Sequence, residues 1–545
     1  MDPIRHGSES FFIEGEGLLT TQLGGRVGDQ QPDPVDVSGT RTVGAPALVT
    51  AEAVAPPFRF SRVGPKGTRL GAAVTRKLAL AMVKEGGGDG DIPAGYTYLG
   101  QFIDHDLTMD RTSVILGEDV RPVDMLQGRS PRLDLDSVYG NGPGDALSAK
   151  FYRADGLHLR TGATIATPPD GEKPGHDLPR VGKGTSKRAK RVALIPDPRN
   201  DENLIVAQTH LAMIHFHNRV LDKVPASVPD TQKFTRARKR VTLHYQWMIR
   251  HDYLPRICRS SVIDDVFTNG RKLVEPGASP ASVPTMPVEF SVAAFRLGHS
   301  MVRPAYNWNR IFSGTAGLLE YMFEFSGLGG DLAGETRLIT SWVADFRRIY
   351  DFAAGGHPRL KPASHLNHAR RIDTLLTDPL KNLPPRVFGG STAMPFNDLR
   401  RNLAFRNLTR AAMVRLASGQ QMVTKLKDVG VNVTPLTRKQ IITGNGGAKL
   451  DHLTSAEKDA VATRTPLWFY ILREAEHNGG RLRGVGARIV AETFHRAMEG
   501  SRFSIVRQPD WRPTLGRDST TFGMTDLIFF AYAGRKSGIN PLGGA

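Results

Sequence analysis

The chain is 545 residues long, 40% hydrophobic and 23% charged, which is long enough for a large buried core and too apolar for a disordered chain. Lys and Arg (72) exceed Asp and Glu (54), but the excess is scattered rather than gathered into a patch, so composition gives no nucleic-acid footprint. Cys258 is the single cysteine, which excludes an intramolecular disulfide and the cysteine-based structural zinc patterns. No run approaches the ~20 apolar residues of a membrane span, and the start, MDPIRHGSESFFIEGEG, lacks the basic-then-apolar order of an ordinary signal peptide.

In chain order, residues 1–74 are rich in Gly, Pro, Thr and Val without a helical period, and read as an irregular N-terminal arm on a body spanning 75–545. The sustained periodic segments in that body are helical. Residues 204–224, the stretch from Thr231 (with Phe234, Val241, Tyr245, Met248 and Ile249 at helical spacing) and 398–413 predict helices. Gly/Pro-rich connections such as PPDGEKPGHDLP separate elements, and convincing strands are few. The predicted fold is mainly α: a single large helical domain with long irregular loops.

Two glycine-rich segments, GLGGDL from Gly327 and GVGARI from Gly484, start like dinucleotide loops but have Leu332 and Ile489 at the third small position and follow no credible strand. The basic run KGTSKRAKR reads as a solvated surface. His210 and His217 share a helical face, and His365 and His368 sit together in a polar stretch, but neither pair comes with a suitable third ligand, so no metal is assigned to them.

The densest chemical cluster is YLGQFIDHDLTMD. Gln101, Asp104, His105 and Asp106 fall within six positions, and a rotation of 100° per residue points the three consecutive polar residues in different directions. The interleaved Phe102, Ile103 and Leu107 predict burial, and buried carboxylates need a metal, a cation or a covalent fate.

GQFIDHDLT resembles the distal-histidine motif of the animal-type haem peroxidases, within the peroxidase-cyclooxygenase superfamily. Further segments resemble the same family in the same order: SPRLDLDSVYG (130–140) its calcium loop, DPRNDEN (197–203) its catalytic-arginine segment, and HFHNRVL (215–221) the helix that follows. FRLGHSMVRP (295–304) resembles its proximal-histidine segment, NLAFRNLTR (402–410) the segment with that histidine's partner, and TPLWFYILREAE and PDWRPTLG its tail. The resemblance runs from about residue 75 to 515.

It implies a haem b enzyme that reduces hydrogen peroxide and oxidises small donors such as halide, thiocyanate or phenolic compounds. His105 would move a proton between the peroxide oxygens, which suits a group with an ordinary pKa of about 6.5. Arg199 would stabilise the departing oxygen with fixed positive charge. Gln101 would line the distal cavity and bind water or halide. His299 would ligate the haem iron, and Asn407 would accept a hydrogen bond from its other ring nitrogen, making it more electron-donating.

Asp104 and Glu202 match the two carboxylates that form esters with haem methyl groups in the family; read alone, Glu202 would be an exposed acid in a helix's first turn. Asn203 stands where some members carry a sulfonium-forming methionine, so that third link is excluded. Asp106, Ser130, the carbonyl of Arg132, Asp134 and Asp136 match the family's Ca²⁺ ligands, a hard-oxygen set. Arg296 and Arg410 fall where haem propionates could lie.

Two alternatives remain open in the sequence. A fatty-acid oxygenase of the same superfamily would need a tyrosine three residues before the proximal histidine, where this chain has Arg296. A catalytically silent adhesion or matrix-type module would not need His105, Arg199 and His299. Oligomeric state and localisation are not legible.

Overall fold

The computed structural model describes residues 58–84, 87–110, 117–361, 365–384 and 394–544. The architecture is mainly α, as the periodicity predicts. The helices that position the site are α1 (Ala72–Met82), α2 (Gly95–Leu107), α3 (Leu204–Asp222), α4 (Asp230–Met248), α5 (Leu403–Met413), α6 (Leu467–Glu476) and α7 (Gly484–Glu499). Strands are short: β1 (Phe58–Ser61), β2 (Asp89–Pro93), β3 (Leu126–Gln127), β4 (Gly162–Ala163), β5 (Pro174–Asp177), β6 (Met286–Pro287) and β7 (His368–Arg370).

β1 lies between β3, antiparallel with Phe58 opposite Gln127, and β6, parallel with Phe60 opposite Met286. Phe60 is buried. The end of the segment read as an arm is therefore woven into the body; residues 1–57 of that arm lie outside the described residues. β2 pairs with β7 and β4 with β5, both antiparallel.

Caps fix the helix ends that matter. Asn203 starts α3, its side-chain oxygen accepting from the Val206 N–H at 2.9 Å. The segment predicted as one helix over 398–413 is two: a 3₁₀ turn (Leu399–Arg401), then α5, restarted by Asn402 accepting from the Phe405 N–H at 3.0 Å. An Asn side chain can replace the missing helical acceptor, which a hydrophobic period does not reveal.

At the N-terminus of α7 the buried Glu474 of α6 accepts from Val485 and Gly486 N–H at 3.2 and 3.1 Å. Gly484 there has φ +44°, and a Cβ on it would lie 2.3 Å from Glu474 Oε1. α4 runs into a π-helical turn (Ile249–Tyr253) that sets Tyr253 into the central cavity described below.

α2 packs on α3 and α3 on α4, while α1 packs on α5. A 3₁₀ segment, Ala294–Met301, is held by α2, α6 and α7. The site lies between that segment and α2. Among the described residues no helix is long and apolar enough to cross a membrane.

Candidate active site

α2 buries all three of its consecutive polar residues, Asp104, His105 and Asp106, and each faces a different partner, as helical geometry requires. Asp104 faces Arg296, with Oδ2 3.5 Å from Nη1, and its Oδ1 accepts from the Thr108 hydroxyl at 3.1 Å. His105 Nδ1 lies 2.8 Å from Asn200 Oδ1. Asp106 turns to the loop after β3, accepting from the Leu135 N–H at 3.2 Å and the Ser137 hydroxyl at 3.0 Å.

The turn before α3 (Pro198–Asp201) is built by Asp197, which accepts from the Arg199 backbone N–H at 3.1 Å and from its guanidinium Nε at 3.0 Å and Nη2 at 2.8 Å. Arg199 Nη2 also donates to the His105 carbonyl at 2.9 Å. Arg199 and Arg129 hold the Asp197 carboxyl far below the usual range despite burial. Arg199 is fully buried, and its Nη1 has no hydrogen-bond partner among the described residues.

A cleft is lined by Gln101 and Asp104 from α2, Glu202 and Asn203 ahead of α3, and Arg296, Gly298 and His299 from the 3₁₀ segment, with Phe295, Leu319, Phe323, Leu383 and Leu403 among its apolar walls. His105 and Arg199 are not among the lining residues. Asn203 Nδ2 donates to Gln101 Oε1 at 2.8 Å. Glu202 is buried, not the exposed acid that its position in a first turn would suggest. A Cβ on Gly298 would meet nothing within 4 Å.

His299 Nδ1 is 2.8 Å from Asn407 Nδ2. The pairing is the expected one, but its polarity is reversed: an amide nitrogen only donates, so here Nδ1 accepts. A neutral histidine that held iron through Nε2 would carry its proton on Nδ1, so that role would require a half-turn of the Asn407 amide to present the oxygen. The Trp468 ring meets His299 edge-on at 6.4 Å, and its indole N–H donates to the Arg296 carbonyl at 3.3 Å.

This arrangement fits haem: an apolar cleft with an imidazole anchored from behind, two buried carboxylates at its wall and an incompletely bonded guanidinium near His105. Residues 91–316 match the family model "Animal haem peroxidase". That stretch of the chain resembles the peroxidase-cyclooxygenase superfamily.

The sequence is 31% identical to the thyroid peroxidase of Mus musculus over 201 residues, covering 34% of this chain and 20% of that protein. It is 25% identical to heme peroxidase 2 of Caenorhabditis elegans over 175 residues, covering 31% of this chain and 23% of that protein. The chain thus spans about a fifth of the length of these relatives. In structure it is similar to peroxidase A from Dictyostelium discoideum, with a TM-score of 0.55 and 14% identity over 89% of this chain and 94% of that one. It is also similar to the fatty acid alpha-dioxygenase of Arabidopsis thaliana, with a TM-score of 0.52 and 12% identity over 89% and 77%. At such identities the likeness is one of fold.

Within this peroxidase-type domain, the acids resembling a calcium loop are close but engaged by protein donors. Asp134 accepts from the Arg502 N–H at 3.0 Å, and Asp136 from Arg238 Nη2 at 3.1 Å. Burial first, and the charge of Asp136 second, push Asp106 up to about 7 and Asp134 up to about 6. Ser130, Arg132, Asp134 and Asp136 line one surface cavity, which Arg238, Arg502 and Arg507 also enter. Among the described residues no group of three or more His, Cys, Asp or Glu is arranged to hold a metal.

Two residues beside the candidate site escape sequence reasoning. Asn200 looks like any polar turn residue, and His210 looks like half of a pair with His217. In the structure His210 Nδ1 lies 2.9 Å from Asn200 Nδ2, while His217 turns away to the Tyr139 hydroxyl at 3.0 Å and the Leu157 carbonyl at 3.1 Å. The seven-residue spacing puts both histidines on one helix face but not in one environment.

Proposed function

We propose that the protein is a haem peroxidase that reduces hydrogen peroxide and oxidises small organic or inorganic donors. The observation that carries this reading is the buried pair of His105 and Arg199, joined at 2.9 Å beside a cavity that also receives His299. Haem bound there would supply an iron that accepts an oxygen atom from peroxide and passes the oxidising equivalents to donors.

His105 takes a proton from one peroxide oxygen and delivers it to the other. Arg199, held along one edge by Asp197, offers its remaining N–H groups to the negative charge that develops as the O–O bond breaks. Gln101, steadied by Asn203, lines the approach. His299 would ligate the iron, and Asn407 would orient it with its amide oxygen turned to Nδ1.

Asp104 and Glu202 are the acids that would form the haem esters. Both are buried at the cavity, which supports the role; Asp104 must exchange its ion pair with Arg296 for the ester. Ca²⁺ bound by Asp106, Ser130, the Arg132 carbonyl, Asp134 and Asp136 would neutralise the crowded acids. The Ser130 hydroxyl, buried without a partner among the described residues, supports that site.

The oxygenase alternative lacks its tyrosine, since Arg296 sits at the cavity and faces Asp104. Haem-loaded protein should turn over a phenolic or halide donor with peroxide and should show no sustained oxygen uptake with polyunsaturated fatty acid. His299→Ala should lose the haem Soret band or shift it strongly. Rapid oxygen uptake with fatty acid and negligible donor oxidation would reverse the assignment.

A further inference from the structure

Behind His105 lies a fully buried chain of three side chains. Asn200 Oδ1 is 2.8 Å from His105 Nδ1, and Asn200 Nδ2 is 2.9 Å from His210 Nδ1. His105, Asn200 and His210 are all 0% exposed. The amide fixes the direction of the chain. A carbonyl oxygen can only accept, so the hydrogen on the first contact belongs to His105 Nδ1; an amide nitrogen can only donate, so His210 Nδ1 accepts.

We propose that Asn200, backed by His210, is the positioning residue of the peroxide site, holding His105 in the tautomer whose Nε2 carries the lone pair. This rests on the peroxidase reading of the same site.

The physical case has three parts. First, the tautomer of a neutral imidazole is set by what its other nitrogen meets, and only an acceptor at Nδ1 leaves Nε2 able to take a proton. Second, the same contact survives proton uptake: an imidazolium still donates from Nδ1 to Asn200 Oδ1, whereas a turned amide would set an N–H against an N–H. Third, the amide needs a reason not to turn. His210 provides it in the neutral tautomer that carries its hydrogen on Nε2 and accepts at Nδ1; burial keeps the imidazole neutral, pulling its pKa down to about 3, and that tautomer is part of the proposal.

The backbone holds Asn200 in place independently, through its N–H to the Asp197 carbonyl at 3.1 Å, in the turn that also orients Arg199. Asp197 and Arg199 are the charged groups beside the chain, and they satisfy each other, so neither competes for the amide.

The polarity on the proximal side is the opposite. There Asn407 presents its nitrogen to His299 and would have to turn to accept from Nδ1, whereas Asn200 already presents an oxygen to its histidine.

The test reads the tautomer itself. Histidine-selective ¹⁵N spectra of the haem-loaded protein in its diamagnetic ferrous carbonyl form, with His105 identified by its loss in His105→Gln, should show wild-type His105 protonated at Nδ1. Asn200→Leu should move it toward the Nε2–H form and slow the reaction of the ferric protein with peroxide by about 10- to 100-fold, less than the ~10²–10⁴ of losing the base altogether. Asn200→Asp keeps an acceptor opposite Nδ1 and should restore the Nδ1–H form and much of the rate.

If Asn200→Leu does not take up haem, His210→Leu makes the same test from the other end, since an amide without its acceptor turns and Nε2–H appears on His105. Wild-type His105 protonated at Nε2, or an unchanged tautomer and rate in the haem-loaded variants, would overturn the proposal. A wild-type protein with the Nδ1–H tautomer that does not react with peroxide would instead defeat the peroxidase reading and leave the contact standing.

Discussion

Asp197 grips Arg199 with both carboxylate oxygens, Oδ1 accepting from Nε at 3.0 Å and Oδ2 from Nη2 at 2.8 Å, with neither side chain exposed to solvent. A planar fork meeting a planar carboxylate is the geometry in which a guanidinium loses the least freedom per bond. The grip occupies one edge of the guanidinium; Nη2 also donates to the His105 carbonyl, and Nη1 has no hydrogen-bond partner among the described residues.

Removing the charge of Asp197 should therefore hurt stability before it hurts chemistry. Asp197→Asn leaves buried positive charge on Arg199 and Arg129 without compensation, and truncating one partner of such a pair costs about 3–5 kcal/mol. Chemical denaturation should show that loss, and Arg199→Met, which removes one of the charges, should be less damaging. A change in unfolding free energy of Asp197→Asn near zero would mean that the grip is not a stabilising one.

The two buried acids at the cavity give a covalent prediction. After brief treatment of the haem-loaded protein with peroxide, acidic organic solvent should fail to extract the haem from wild type, should extract it partly from Asp104→Asn or Glu202→Gln, and should extract it fully from the double variant. Complete extraction from peroxide-treated wild type would remove the ester.

His217 makes stability depend on pH. Its Nε2–H donates to the Leu157 carbonyl and its Nδ1 accepts from the Tyr139 hydroxyl, so the neutral form is fully bonded, and burial lowers its pKa to about 4. The folded value lies below the ordinary 6.5, so the unfolded chain binds more protons. The contribution is therefore complete above about pH 6.5 and is lost as pH falls toward 4. The size is on the order of 3 kcal/mol across that window. His217→Gln should flatten this part of the pH profile of thermal unfolding; an unchanged slope would show that His217 is not neutral for the reason given.

Calcium should stabilise the fold by mass action, by about 2.7 kcal/mol at a hundred times its Kd. Titrating Ca²⁺ into metal-stripped protein should raise Tm, and Asp134→Asn together with Asp136→Asn should abolish the rise. If Tm is indifferent to Ca²⁺ and elemental analysis finds none, the arginines that enter this cavity already neutralise the acids and the loop is a charged turn.

The helices and the family segments were legible because both are written in local spacing: a period of 3.6 for α3 and α4, and short ordered motifs around His105, Arg199 and His299. Even the separate orientations of Asp104, His105 and Asp106 follow from their adjacency on a helix. Four things were not legible. The break at Asn402 is a side-chain capping event inside an otherwise helical pattern. The burial of Glu202 depends on residues far away in sequence, such as Ser326, which donates to its carbonyl at 2.8 Å. The Asn200 and His210 contacts join a turn to a helix interior, and His210 offered only a misleading likeness to His217. Polarity is the deepest omission, because no spacing rule says which end of the Asn407 amide faces His299.

The bond between His299 and Asn407 spans 108 residues, and that between His105 and Asn200 spans 95. During synthesis the distal half can therefore close on itself while the proximal half is still being made. At about 5–20 residues per second, His299 leaves the ribosome roughly 5–20 seconds before its partner does. Throughout that interval the His299 imidazole lacks its Asn407 contact, so haem held by His299 would be gripped firmly only in the last stage of folding, and its loading would report that the C-terminal helices have already docked.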